Sequence, residues 1–206
     1  MCPAPAKRRH EHPDHSRPSR SGSFNHALAA GVREALLSDG HCVTLRDLAA
    51  EGFDPRLTAV ELDSRGAMPE EIKRYCEELQ AADGIVIVHP NWWGQPPAIL
   101  KGWIDRVLRA GVAYRFEEGD NGEGVPVGLL KAKAAVVLNT SDTPQARELK
   151  AFGDPLDALW RRCIFDLCGV RAFHRRMFGL IVTSTRQQRL SWIEEAQALC
   201  RRVFAP

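Results

Sequence analysis

Gly84 to Val107 reads GIVIVHPNWWGQPPAILKGWIDRV, and this stretch decides the fold. Ile85 to Val88 are all β-branched, the composition of a strand covered on both faces. The helix that follows, PAILKGWIDRVLRAG over Pro97 to Gly111, spaces its apolar residues at helical intervals. A buried strand that passes into a helix through one short loop is half of a parallel βαβ unit. The loop carries its own message. Pro90, Pro96 and Pro97 fix backbone φ, and Gly94 permits a turn that other residues resist. A stiff loop of this kind aims peptide N–H groups and the indoles of Trp92 and Trp93 at something flat. Taken alone, a tryptophan pair serves as readily to cap a core.

Working upstream, SFNHALAAGVREALLSDG predicts a helix, with Ser23 as N-cap, a stripe through Leu28, Val32, Ala35 and Leu36, and Gly40 as the stop. HCVTLRDL, residues 41–48, alternates like a short strand. A long loop then leads to PEEIKRYCEELQAADG, a helix with Pro69 at its start and acids in its first turn. Downstream, YRFEEGDNGEGVPVGLLK is a polar, glycine-rich excursion and KAAVVLNT a second fully buried strand. DPLDALWRRCIFDLCG predicts a helix, FGLIVTS a last strand and RQQRLSWIEEAQALCRRVF a closing helix. Strand and helix alternate, so the fold class is α/β, a doubly wound parallel sheet with helices on both faces. Such sheets bind ligands beyond the carboxyl ends of their strands, near the topological switch point. Those ends are HPNWWG, NTSDTP and whatever precedes SFN.

The bulk numbers narrow the class. At 206 residues, one domain over 23–206 follows a polar segment over 1–22. A net charge of +2 gives no mandate for nucleic acid or an anionic membrane. No apolar run is long enough to insert in a bilayer, and the opening residues lack the apolar core of a secretory signal. Six cysteines without a CxxC pair read as reduced thiols, with the cytoplasm as the expected compartment.

Two further motifs sit where a ligand is expected. GSFN, Gly22 to Asn25, places Ser23 and Asn25 at a helix start, where backbone N–H groups lack helical partners and favour anions. Taken alone the signal is weak, and ordinary N-capping is the better explanation of the serine. NTSDTP places Asn139, Thr140, Ser141 and Asp142 just past a buried strand, where small polar groups reach the heteroatom edge of a ring; alone they are a helix-starting loop.

Together these residues resemble a known family. HPNWWGQPPAILKGWIDRVLRAGVAYRF is similar to the signature of the flavodoxin-like NAD(P)H:quinone oxidoreductases, which include ancillary subunits of glutathione-gated potassium efflux systems. GSFNHAL and NTSDTP…GDPLDALWRRCIFDLCGV…RRMFGLIVTST resemble its bacterial branch, and the similarity runs from about Gly22 to the C-terminus. The resemblance implies a five-stranded sheet of order 2-1-3-4-5 and a homodimer that binds FMN, or else FAD. It implies NAD(P)H as the reductant and a quinone-like acceptor. By motif position, Ser23, Phe24 and Asn25 would hold flavin phosphate or ribityl groups. Pro90, Asn91, Trp92, Trp93 and Gly94 would line the isoalloxazine, with Trp93 at the ring-contacting position. Asn139, Thr140, Ser141 and Asp142 would meet the pyrimidine edge, and Tyr114 and Phe116 would border the substrate pocket. The vertebrate branch carries a Gly-Gly turn and a Tyr/His pair that this chain lacks, so no catalytic proton relay is assigned. The same residues would serve a regulatory subunit of a potassium efflux system with little turnover of its own.

One segment departs from that pattern. The family opens on an apolar strand leading into a His-Pro loop and SFN, whereas KRRHEHPDHSRPSRSG stands in its place. Pro13 and Pro18 cannot donate to a central ladder. Replacing about four buried aliphatic side chains forfeits roughly 6–12 kcal/mol, comparable to a whole domain's stability. The first strand is therefore expected to be absent or degraded. With one choice of synonymous codons, His10 to Ser21 read one base later becomes MNTLIILAHPDP, an apolar strand and a His-Pro loop. That exercise motivates the hypothesis of a reading-frame change upstream of Gly22. Metal binding by Cys2, His10, His12 and His15 is the rival reading of the segment, and no metal site is assigned.

Overall fold

The computed structural model describes residues 22–62, 67–117, 119 and 123–205. The expectations placed on residues 1–21, both the lost strand and the histidine cluster, lie outside the described residues. Within them the helices are α1 (Phe24–Ser38), α2 (Ala59–Leu62), α3 (Glu70–Ala81), α4 (Ala98–Val107), α5 (Gln145–Phe152), α6 (Pro155–Ala158) and α7 (Arg186–Val203). The strands are β1 (Gly84–Pro90), β2 (Tyr114–Arg115), β3 (Val127–Gly128), β4 (Ala134–Thr140) and β5 (Ala172–Phe178).

The parallel sheet has the order β1–β4–β5, and β2 with β3 forms a separate antiparallel ribbon. Register levels the strand ends: Gly84, Ala134 and Ala172 stand together, as do Pro90, Thr140 and Phe178. Alternation along β4 divides the core. Ala135 and Val137 join Ile72, Tyr75, Val107 and Trp160 on one face. Val136 and Leu138 join Leu28, Val32 and Leu36 of α1 and Ala196 and Cys200 of α7 on the other. Every residue of β4 is buried, as its unbroken apolar run requires of a strand sandwiched between helix layers. The doubly wound α/β expectation holds, with three of its five strands found among the described residues.

Three local expectations are corrected. Residues 41–48 form no strand among the described residues. β1 is also less covered than its composition suggests. It pairs with β4 alone among the described residues, and only Ile85 and His89 are buried. The last strand is not FGLIVTS but AFHRRMF. Gly179 follows at its end, Leu180 adopts φ 61°, and Ile181–Thr183 closes into a 3-10 turn. The cations of β5 hid it from a reading based on apolar runs; Arg175 and Arg176 are paired with Asp154 and Glu195.

Two helical features were not foreseen. Gln145–Phe152 forms α5, closed by Gly153 at φ 70°, the left-handed conformation that glycine adopts without a Cβ penalty. Beyond α6 the chain widens into a π-helix over Leu159–Asp166. There Trp160 and Phe165, five apart, stack with ring centroids 5.8 Å apart.

Candidate functional site

The loop after β1 is a two-residue hairpin turn. Trp92 and Gln95 exchange both backbone hydrogen bonds at 3.0 Å, and Trp93 and Gly94 between them have φ 57° and 71°. Two positive φ values are the mark of a type I′ turn, which usually takes Asn-Gly. A tryptophan in the left-handed region is costly. Its indole is nonetheless fully exposed, and that of Trp92 is mostly so. The Asn91 carboxamide oxygen accepts from Gly94 N–H at 2.9 Å. Gly94 lies so close to Pro155 that a Cβ there would sit 2.6 Å from its ring. The loop is thus rigid from below and offers bare indole above.

The other strand ends converge on it. Asn91 N–H donates to the Thr140 carbonyl at 2.6 Å, and the Thr140 hydroxyl donates to Asn25 Oδ1 at 3.1 Å. This pair ties the start of α1 to the carboxyl edge of the sheet. Ser23 caps α1 in a reciprocal box with His26, whose Nδ1 lies 2.8 Å from Ser23 Oγ and whose Nε2 lies 2.9 Å from Asp47. Phe24 and Asn25 occupy the first turn, where N–H groups have no intrahelical acceptor. Ser141 is buried, its hydroxyl accepting from Thr143 N–H. Asp142 is exposed and accepts from Val182 N–H. Ser23, Asn25, Asn91 and Thr140 are thus brought to one edge.

Asn139 is placed differently. It is wholly buried, its Oδ1 accepting from Arg175 Nε at 2.6 Å and its Nδ2 donating to His89 Nε2 at 2.7 Å. Both ends of the amide are taken, so it supports the edge from beneath. His89 Nε2 also accepts from Trp160 Nε1 at 3.0 Å. A nitrogen accepting from two N–H donors carries no proton, so Nδ1 holds it and donates to the Pro90 carbonyl at 2.8 Å. Burial, reinforced by nearby Arg175, lowers the His89 pKa to about 4, opposed by the bond to Pro90. His89, Arg175, Asp154 and Trp160 were missed in the sequence. A lone histidine ending an apolar strand and an arginine inside one gave a weak signal.

Tyr114 and Phe116 meet edge to face, centroids 5.8 Å apart. They line an apolar cleft of about 260 Å³ with Ile104, Leu108, Cys163 and Leu167. None of the residues lining that cleft belongs to the Trp92–Gly94 turn. Among the described residues no cluster of three His, Cys, Asp or Glu side chains is suited to a metal ion, and no helix is long and apolar enough to cross a membrane.

The fold is that of a doubly wound protein of the flavodoxin type, with the Trp92–Gly94 turn at the carboxyl end of β1. A family profile described as flavodoxin-like fold matches residues 12–198, and the chain belongs to the flavodoxin-like NAD(P)H:quinone oxidoreductase family. An uncharacterised NAD(P)H oxidoreductase of Haemophilus influenzae is 34% identical over 185 residues, spanning 87% of this chain and 88% of the relative. An FMN-dependent NADH:quinone oxidoreductase of Bordetella avium is 34% identical over 145 residues, spanning 66% of this chain and 65% of the relative. A solved Streptococcus mutans structure superposes with a TM-score of 0.75 at 26% identity, covering 91% of this chain and 96% of that one.

Proposed function

We propose that the chain is a flavin-dependent NAD(P)H oxidoreductase that takes FMN on the Trp92–Gly94 shelf and passes reducing equivalents to a quinone or similar acceptor. The observation that carries this reading is Trp93, a large apolar side chain held in a costly backbone conformation yet left fully exposed at a strand's carboxyl end. Strain of this kind persists where function requires it. The residues fit an FMN: bare indole for the ring, and a helix start with Ser23 and Asn25 for the phosphate. Relatives named as FMN-dependent NADH:quinone oxidoreductases support the choice of cofactor.

Bound there, the flavin would supply hydride acceptance and donation. The chain contributes position. Ser23, Phe24 and Asn25 present hydroxyl, amide and first-turn N–H donors. Pro90, Asn91 and Gly94 set the height of the turn, and Trp92 and Trp93 give it an apolar surface. Thr140, Ser141 and Asp142 supply the polar edge, and Asn139 holds them from below. Tyr114 and Phe116 border the acceptor pocket. A homodimer follows from the family resemblance, and exposed Leu149, Phe152, Leu180 and Val182 are candidates for its interface. The chain works in the cytoplasm, where its five described cysteines, all free, remain thiols.

The test is a visible spectrum of purified protein titrated with FMN, then anaerobic NADH and NADPH, then a quinone. The expected result is saturable binding, bleaching of the flavin band by one donor and its return with the quinone. A protein that stays colourless in excess FMN, or whose band neither donor bleaches, would overturn the reading.

A further inference from the structure

The exposed turn is gripped from underneath by a closed circuit of contacts. Arg175 of β5, almost fully buried, pairs with Asp154 at 2.7 Å and sends Nε–H to Asn139 Oδ1. Asn139 of β4 passes the chain to His89, and His89 of β1 passes it to the carbonyl of Pro90, where β1 meets the loop. The peptide joining Pro90 to Asn91 is then held on both sides, since its N–H donates to Thr140 O. At the far side of the turn Gly94 rests on Pro155, and Pro155 adjoins Asp154, a non-glycine residue at φ 52°. The circuit runs from Pro90 through His89, Asn139, Arg175, Asp154 and Pro155 back to Gly94.

Every polar atom in it has a defined direction. The donor sequence starts on a cation and ends on a backbone carbonyl, and chains of this sense polarise and stiffen one another. Its members come from the three parallel strands found among the described residues and from the segment after α5, and Trp160 fixes the imidazole from the π-helix. None of these side chains faces the exposed surface of the turn.

We propose that His89 is a positioning residue of the flavin site: with Asn139 and Arg175 it sets the tilt and height of the Trp92–Gly94 turn, and through that turn the orientation of the ring. This rests on the reading of the turn as a flavin shelf. A displacement of about 1 Å in a reacting group can cost a hundredfold in rate, so a bond to the first carbonyl of the loop carries leverage far from the ring.

The experiment compares the full chain with His89→Phe, which keeps a ring but removes both nitrogens, and His89→Gln, which keeps an acceptor and a donor. FMN affinity, the shape of the bound-flavin band, and kcat and KM for the better nicotinamide donor are measured at saturating FMN. The Trp92 and Trp93 indole N–H resonances are recorded in the flavin-free proteins. His89→Phe is expected to weaken FMN binding at least tenfold, shift both indole signals, and lower kcat at least tenfold with KM within twofold. His89→Gln should recover most of each effect. Asn139→Ser should reproduce the phenotype, and it serves as the readout if His89→Phe does not fold. A His89→Phe protein that melts earlier but has unchanged indole signals, FMN affinity and kcat would overturn the proposal, leaving His89 as part of the core alone. Failure of the unsubstituted chain to bind FMN would instead defeat the functional reading on which the proposal rests.

Discussion

Trp93→Asn should make the flavin-free protein more stable and the flavin-bound complex weaker. In the wild-type turn a bulky side chain sits at φ 57°, a conformation that costs an L-residue about 1–2 kcal/mol. Asparagine tolerates that region and is favoured before glycine in a type I′ turn. Trp93 is fully exposed, so its removal forfeits no burial. The net gain is about 1 kcal/mol, which for a domain of this size raises Tm by about 2–4 °C. Against that, loss of an aromatic face costs the complex about 0.5–1.5 kcal/mol of ring contact, or roughly two- to thirteenfold in FMN affinity. Urea and thermal melts of the apoprotein give the first quantity, and fluorescence quenching of FMN gives the second. A variant that melts below wild type would show that the indole contributes to the fold. One that keeps full FMN affinity would show that the ring rests elsewhere.

Other outcomes follow from the buried charges and the sheet. His89 is held neutral by burial, with its pKa moved from 6.5 to about 4. The unfolded chain takes up this proton near pH 6.5 and the folded one resists it until about pH 4. Stability present above that window is therefore lost as pH falls through it, by about 3 kcal/mol in all, and His89→Gln should flatten the slope of urea midpoints between pH 7 and pH 5. Glu61 and Arg106 form an almost fully buried pair, with Glu61 also accepting from Thr58. Glu61→Gln strands the guanidinium and should destabilise by about 3–5 kcal/mol, readable as a large drop in melting temperature; a shift within 2 °C would show water reaching the pair. Replacing residues 10–21 with MNTLIILAHPDP should raise both the melting temperature and the flavin retained on purification, because β1 has a free edge among the described residues. Equal values in the two proteins would count against a lost strand.

The sequence exposed the fold wherever pattern and composition agreed. The β-branched run of β1, the apolar Ala134–Leu138 of β4, and the capped stripe of α1 announced a doubly wound sheet, and the proline-flanked tryptophans marked a stiff turn at the carboxyl end of β1. What escaped was set by distant partners. AFHRRMF became a strand because Asp154 and Glu195 neutralise its arginines, a pairing that no local window contains. Residues 41–48 have strand character, but a ladder belongs to two segments. Asn139 was read as facing a ligand because it follows a strand, yet its amide is claimed by two side chains, His89 fifty positions away and Arg175 thirty-six away in the sequence. The residues at the strand ends were legible as candidates; the buried contacts beneath them were not.

The widened helix after α6 has a consequence for inheritance. Trp160 and Phe165 stack because the π-helix brings positions five apart toward the same side; on an ordinary helix they would point about 140° apart. Excising one residue between them would swing the indole off His89 or pull Phe165 from Phe173, so length in this stretch is as constrained as identity. Exposed side chains along Leu159–Asp166 could be exchanged freely, while a single in-frame codon loss in the same octet would break the bond from Trp160 to His89.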